Sequence, residues 1–229
     1  QREMDVANIF DDVWEYSLPE PGDDANSAVS GALAGSWRLV DTEGAAVPRY
    51  GHCSVVLGDK WHVSFGGRTL RLFQNSKDVV SALDKCKGVE CDSLLDTNSE
   101  LVSAELTVIF DVERYSWTKG LISQSHPDPR DGHSCVMEEK TGDMFLYGGQ
   151  SGDGKVRDDL WRLAVGTSGL PGDNTPQAVW VPVTAASTFT APALRDHSAV
   201  AFDGKMFVFG GHGEKMDAVY PKELFVFDT

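Results

Sequence analysis

Three times along this chain an Arg, followed two or three residues on by a His, opens an apolar run that closes on a glycine pair. The copies run from Arg49-Tyr50-Gly51-His52 to Gly66-Gly67, from Arg130-Asp131-Gly132-His133 to Gly148-Gly149, and from Arg195-Asp196-His197 to Gly210-Gly211. From each His to the first glycine is 14, 15 and 13 residues, a regularity that marks a structural repeat. A unit of this kind cannot bury its apolar face alone and has to stack on its neighbours.

Each copy continues in the same order. Ser54-Val55-Val56-Leu57, Ser134-Cys135-Val136-Met137 and Ser198-Ala199-Val200-Ala201 read as first, buried strands. After a polar turn, a second strand of aromatic and β-branched residues runs into the glycine pair, at 61–65, 144–147 and 206–209. One glycine of each pair is expected to take φ > 0 or to permit a close approach at a crowded strand end. A third strand opens on an acid and a Leu, at Glu105-Leu106, Asp159-Leu160 and Glu223-Leu224, and a fourth is centred on Trp117 or Trp180. Four antiparallel strands per cycle describe one blade of a β-propeller, so the predicted class is all-β.

Taken in order, the Arg, His-Ser, apolar strand, Gly-Gly, Asp-Leu-Trp and later Trp resemble the kelch repeat over nearly the whole chain. Cys53 stands where a Ser follows His133 and His197, and the third copy lacks the Gly before its His. The resemblance implies kelch-type blades of four antiparallel strands in an incomplete ring, with about three to four blades present. Residues 8–18 match a third strand and Ser36-Trp37-Arg38-Leu39 a fourth, so residues 1–47 read as a half blade holding strands 3 and 4. Residues 48–120 read as a blade with an insertion at 68–104, residues 121–184 as a blade, and residues 191–229 as a blade lacking strand 4. Kelch-like propellers usually close with more blades than this. The segment therefore resembles an internal piece of a longer polypeptide, whose remainder is one expected partner covering the open edges.

Composition narrows the function classes. Apolar residues make up 41% of the 229-residue chain and aromatics 10%, enough for a packed core. No apolar run approaches the roughly 20 residues of a spanning helix. A net charge of −15 repels phosphate backbones, so nucleic acid is not an expected partner. Cys53 and Cys135, in the first strands of successive repeats, are expected to be buried, unpaired thiols packing as hydrophobes. Cys86 and Cys91 lie close together in the insertion, a spacing that permits a disulfide pinning the loop in an oxidising compartment, with two free thiols as the alternative. Cytoplasmic and secreted locations are equally open.

Loop lengths single out one end of the blades. In an up-and-down meander the turns between strands 2 and 3 share a face with the links from strand 4 into the next strand 1. That face receives the insertion 68–104 and the links carrying Arg49, Arg130 and Arg195. In kelch propellers that capture peptides, an Arg at the matching position lines the binding mouth and holds acidic groups bidentately. The resemblance implies that Arg49, Arg130 and Arg195 point toward a shared pocket; pairing with a neighbouring carboxylate, such as Asp131 or Asp196, is the alternative. Arg49, followed by Tyr50 in place of Asp, is the strongest ligand candidate. The insertion adds Arg68, Arg71 and Lys77 beside Leu70, Leu72 and Phe73, a cation cluster with apolar anchors on an otherwise acidic chain, so it is expected either to contact a partner or to pack on a neighbouring blade.

His52, His133 and His197 recur at one position and are read as hydrogen-bonded core residues, not catalysts. Kelch-like propellers also include copper-radical oxidases, epimerases and iron-dependent lyases, but this chain offers no His and Tyr set completing a copper site around Cys53 or Cys135. Glu214 and Asp217 are three apart with no His following, unlike the iron motif. The predicted function is a non-enzymatic protein-binding module without cofactor or metal. The alternatives are a fragment of a propeller enzyme or an extracellular adhesion domain.

Overall fold

The computed structural model describes residues 12–17, 35–70, 99–102, 107–119, 121–122, 125–167, 176–184, 191–214 and 222–228. Among these residues the regular structure is all strand. A hairpin of β1 (Val13–Ser17) and β2 (Ser36–Val40) comes first. The first full blade pairs β3 (Cys53–Leu57), β4 (Trp61–Phe65), β7 (Val108–Asp111) and β8 (Ser116–Lys119) in antiparallel order. A small hairpin of β5 (Arg68–Leu70) and β6 (Ser99–Leu101) rises between its second and third strands. The second blade pairs β11 (Ser134–Glu138), β12 (Asp143–Tyr147), β14 (Leu160–Thr167) and β15 (Pro176–Val183), with β9 (Leu121–Ile122) added at its outer edge. At one end of that blade β10 (Arg130–Asp131) pairs with β13 (Gln150–Ser151). The third blade holds β16 (Arg195–Phe202), β17 (Lys205–His212) and β18 (Leu224–Asp228).

The four-stranded meander of the repeat is present, with two additions. The β9 segment runs parallel to β15, opposite Gln177 and Ala178, and occupies an edge that would otherwise present unpaired backbone groups. The insertion after the first glycine pair begins and ends in strand, with Arg68 opposite Leu101, and Thr69 and Val102 are fully buried. Its base is therefore built into the fold.

The core lies between blades, because alternate residues along the strands of the second blade face opposite neighbours. Met144, Leu146, Leu163 and Trp180 of the second blade meet Leu57, Val63, Phe65 and Ile109 of the first. Phe65 and Trp180 pack edge to face at 5.0 Å between ring centres. The opposite residues of the second blade, Val136, Phe145, Tyr147 and Leu160, meet Leu194, Met206 and Val208 of the third. A third blade face has no such neighbour among the described residues. Val200, Phe202, Phe209, Leu224 and Val226 lie on it, between 49% and 74% exposed. Among the described residues the sheets do not close into a ring, and the fold is an all-β partial propeller.

One sequence expectation is overturned at the first seam. Cys53 of β3 and Cys135 of β11 are joined as a disulfide with Cα atoms 5.7 Å apart, not held as separate thiols. Stacking the two blades brings the innermost strands side by side, which the positions within each repeat did not reveal.

Candidate functional site

The three repeats come into register on backbone conformation. Gly51, Gly132 and Asp196 each adopt positive φ, at 65°, 66° and 55°, directly before the repeated His. Asp tolerates this left-handed conformation better than most residues, so it serves where the third copy has no Gly. This register corrects the sequence alignment of the arginines. Leu194, not Arg195, occupies the place of Arg49 and Arg130, and Arg195 falls with Tyr50 and Asp131. Interblade bonds give the same answer: the Gly67 N–H donates to Arg130 O, and the Gly149 N–H donates to Leu194 O, both at 2.8 Å.

Arg49 and Arg130 are therefore core elements. Arg130 is fully buried; its Nε donates to Asp128 O at 3.0 Å, Nη1 to Gly148 O at 2.9 Å and Nη2 to Asp159 Oδ2 at 2.9 Å. Arg49 repeats part of this, donating from Nε to Val47 O and from Nη1 to Gly66 O. Burial pushes the Asp159 pKa up, but the Arg130 and Trp161 hydrogen bonds outweigh it and hold the carboxyl below its ordinary value. The Arg and the Asp-Leu-Trp acid thus form one clamp, fastening the link before strand 1 to the glycine pair and the start of strand 3. Where Leu194 replaces the Arg, Glu223 accepts a hydrogen bond from the neighbouring Lys222 N–H.

Two of the three repeated histidines work across seams, whereas His52 is exposed and not the core residue that its place in the repeat suggested. His133 Nε2 lies 3.2 Å from Phe65 O of the first blade, and His197 Nε2 lies 2.7 Å from Ser134 Oγ of the second. Burial lowers their pKa values to about 3 and about 4, so both are neutral structural wedges at physiological pH.

What reaches the surface at this end is a polar row crossing the blades. Tyr50 exchanges backbone bonds with Arg68, Asp131 lies opposite Gln150, and Arg195 lies opposite His212. From blade to blade, Arg68 Nε donates to Asp131 Oδ2 at 2.6 Å, and Arg195 Nη1 donates to Gln150 Oε1. Arg195 also pairs with Asp196 at 2.9 Å, and His212 Nε2 stands 3.2 Å from the same carboxylate. Tyr50 is 46% exposed. A shallow cleft of about 370 Å³ opens along the row, lined by Arg68, Glu100, Leu101, Gln150, Ser151 and the glycines of the next turn. Arg157 orders that turn, donating to Ser151 Oγ at 2.8 Å and Asp128 Oδ2 at 2.9 Å.

The structure thus brings Tyr50, Arg68 and Arg195 to one end of the blades and withdraws Arg49 and Arg130 into the interior. Arg71 and Phe73, and the Cys86 and Cys91 pair, lie outside the described residues. Gln150 and Glu100 were missed by motif reading, whereas Asp131 and Asp196 were read there as carboxylates at hand for an Arg, and they pair with Arg68 and Arg195. The signal for Gln150 was its place directly after a glycine pair, which it shares with Arg68 and His212. Among the described residues no group of three His, Cys, Asp or Glu side chains is placed to hold a metal ion.

A family model described as the KLHDC2/KLHL20/DRC7 Kelch-repeats domain matches residues 96–229, more than half of the chain. The chain belongs to the kelch-repeat family. Kelch-repeat domains generally serve as protein-interaction modules. The chain is 26% identical over 214 residues to Kelch repeat-containing protein 2 of Saccharomyces cerevisiae, covering 91% of this chain and 19% of that protein. It is 23% identical over 214 residues to the flagellar outer arm dynein alpha chain of Chlamydomonas reinhardtii, covering 90% of this chain and 4% of that one. Kelch domain-containing protein 3 of Bos taurus is 32% identical over 130 residues, 52% of this chain and 30% of that protein. The chain thus spans less than a third of each of these relatives. Among the described residues no helix is long and apolar enough to cross a membrane.

Proposed function

We propose that this kelch segment binds a partner protein, without catalysis, through the end of the blades that carries the glycine pairs. The observation supporting this reading is the row of Tyr50, Arg68, Asp131, Gln150 and Arg195 across two blade seams. It places paired charges and an exposed aromatic beside a cleft on a rigid scaffold. Side chains already fixed by hydrogen bonds lose little freedom on binding, and aromatic and Arg residues are the usual anchors of protein interfaces. Arg71 and Phe73 of the insertion belong to the same proposal, because Arg68 and Leu101 root the insertion beside the cleft. Arg49 and Arg130 enter it as supports that hold the row in place.

The test compares capture by immobilised wild-type chain with capture by an Arg68→Ala/Arg195→Ala variant and by Lys140→Ala. Lys140 pairs with Asp203 at 2.7 Å on the strand 1 to 2 turns, at the opposite end of the blades. The expected result is loss of the same captured species with the first variant only, at unchanged melting temperature. Equal capture by all three would remove this end from the interface.

A further inference from the structure

Successive blades are joined beside the repeated His by two different devices. At the seam of the second and third blades, the residue after His133, Ser134, bonds His197 of the next blade at 2.7 Å. At the seam of the first and second blades the residue after His52 is Cys53, and it is bonded covalently to Cys135, two residues after His133. The matching position in the third blade is Ala199, which has no such chemistry. His133, relieved of a hydroxyl partner, turns its Nε2 to Phe65 O instead. A covalent bond therefore stands where the fold elsewhere uses a Ser–His hydrogen bond. Both cysteines are half-buried at the margin of the core, so a small thiol or disulfide has a surface to approach.

We infer that Cys53 and Cys135 form a reversible oxidation site that clamps the first two blades together. Oxidation proceeds by exchange with a small-molecule disulfide. One cysteine thiolate attacks a sulfur of that disulfide, forming a mixed disulfide and releasing one small thiol. The second cysteine thiolate then displaces the other, leaving the protein disulfide. The protein pair loses two electrons and two protons, and the small disulfide is reduced to two thiols. Because the cysteines are 82 residues apart, the bond closes a long loop, the case in which a cross-link most restricts the unfolded chain.

The experiment measures linkage and melting temperature together. Native chain is treated with dithiothreitol, then with oxidised glutathione, and each sample is alkylated and digested for mass spectrometry. The expected result is a Cys53–Cys135 linked peptide that disappears on reduction and returns on oxidation. With it the melting temperature should fall and recover by on the order of 10 °C. Cys53→Ser, which writes the Ser of the next seam into this one, should fold and lose the response. A Cys86→Ser/Cys91→Ser variant should keep it, which separates this pair from the insertion. Two alkylated thiols throughout, a linked peptide that native reduction leaves intact, or a shift that persists in Cys53→Ser would each overturn the inference.

Discussion

Replacing Gly149 by Ala tests whether the glycine pairs are demanded by the seam or merely by the turn. Gly149 has φ of 91°, and a Cβ there would lie 2.7 Å from the His133 Cβ and 2.8 Å from Asp131 O. Neither neighbour is free to yield, since Asp131 sits in the β10–β13 ribbon and the His133 ring is held by Phe65 O. Gly142 is the control, with φ of 72° and open space where its Cβ would go. Left-handed backbone costs a non-glycine residue about 1–2 kcal/mol, and restricting the unfolded chain returns about 0.4–1 kcal/mol. Gly142→Ala should therefore lose about 0.5–1 kcal/mol. Gly149→Ala adds overpacking against backbone, about 1–3 kcal/mol more, for a total near 3 kcal/mol. At roughly 2–4 °C per kcal/mol for a chain of this size, melting should drop by about 6–12 °C against about 1–4 °C for the control. Urea unfolding of both variants beside wild type gives the free energies directly. Equal losses would refute the seam argument and leave only the turn.

Arg130→Met should cost about 2–3 kcal/mol by leaving Asp159 without its buried partner, less than a wholly buried pair because that carboxylate is 36% exposed, and adding Asp159→Asn should recover part of the loss in a double-mutant cycle. The neutral histidines make the fold acid-sensitive. Their folded pKa values of about 3 and about 4 lie below the unfolded 6.5, so unfolding takes up protons and stability falls as pH drops below 6.5. At pH 5 each of these two contributes a loss of about 2 kcal/mol, so a His133→Gln variant should lose about 2 kcal/mol less than wild type between pH 7 and pH 5 in a series of urea unfolding curves. Phe202→Ser with Phe209→Ser should leave the free energy of urea unfolding within about 0.5 kcal/mol of wild type, since these side chains are 74% and 57% exposed; a loss above about 2 kcal/mol would mean that they pack within this chain.

The architecture was legible because a blade is written by local signals. Alternation gives the strands, turn residues the hairpins, and glycine pairs the strand ends. The two-residue turn at Asp203-Gly204, with φ of 50° and 73°, is an example that needs no tertiary knowledge. Chemistry across seams was not legible in that way. Nothing in the sequence around Cys53 or Cys135 states that the residue after one His faces the second residue after the next. That neighbour relation comes from stacking, and it turned two expected thiols into a covalent link.

The arginines show how a repeat can mislead when it is read by its most conspicuous letters. Arg-Asp precedes His in both the second and third copies, but the string is displaced by one residue relative to the His. Counted back from the histidines, Arg49 and Arg130 share a place that Leu194 fills in the third blade. The fold enforces that count, because the residue just before the His must carry positive φ and hand its backbone to the next blade, as Gly132 O does to the Asp196 N–H at 2.7 Å. One step of displacement moves a guanidinium from the interior, where Arg130 clamps Asp159, to the rim, where Arg195 meets Gln150. Identical residue types therefore divide into scaffold and surface by register alone. Of the three arginines that open the repeats, Arg195 is the one whose substitution should alter binding with little effect on folding.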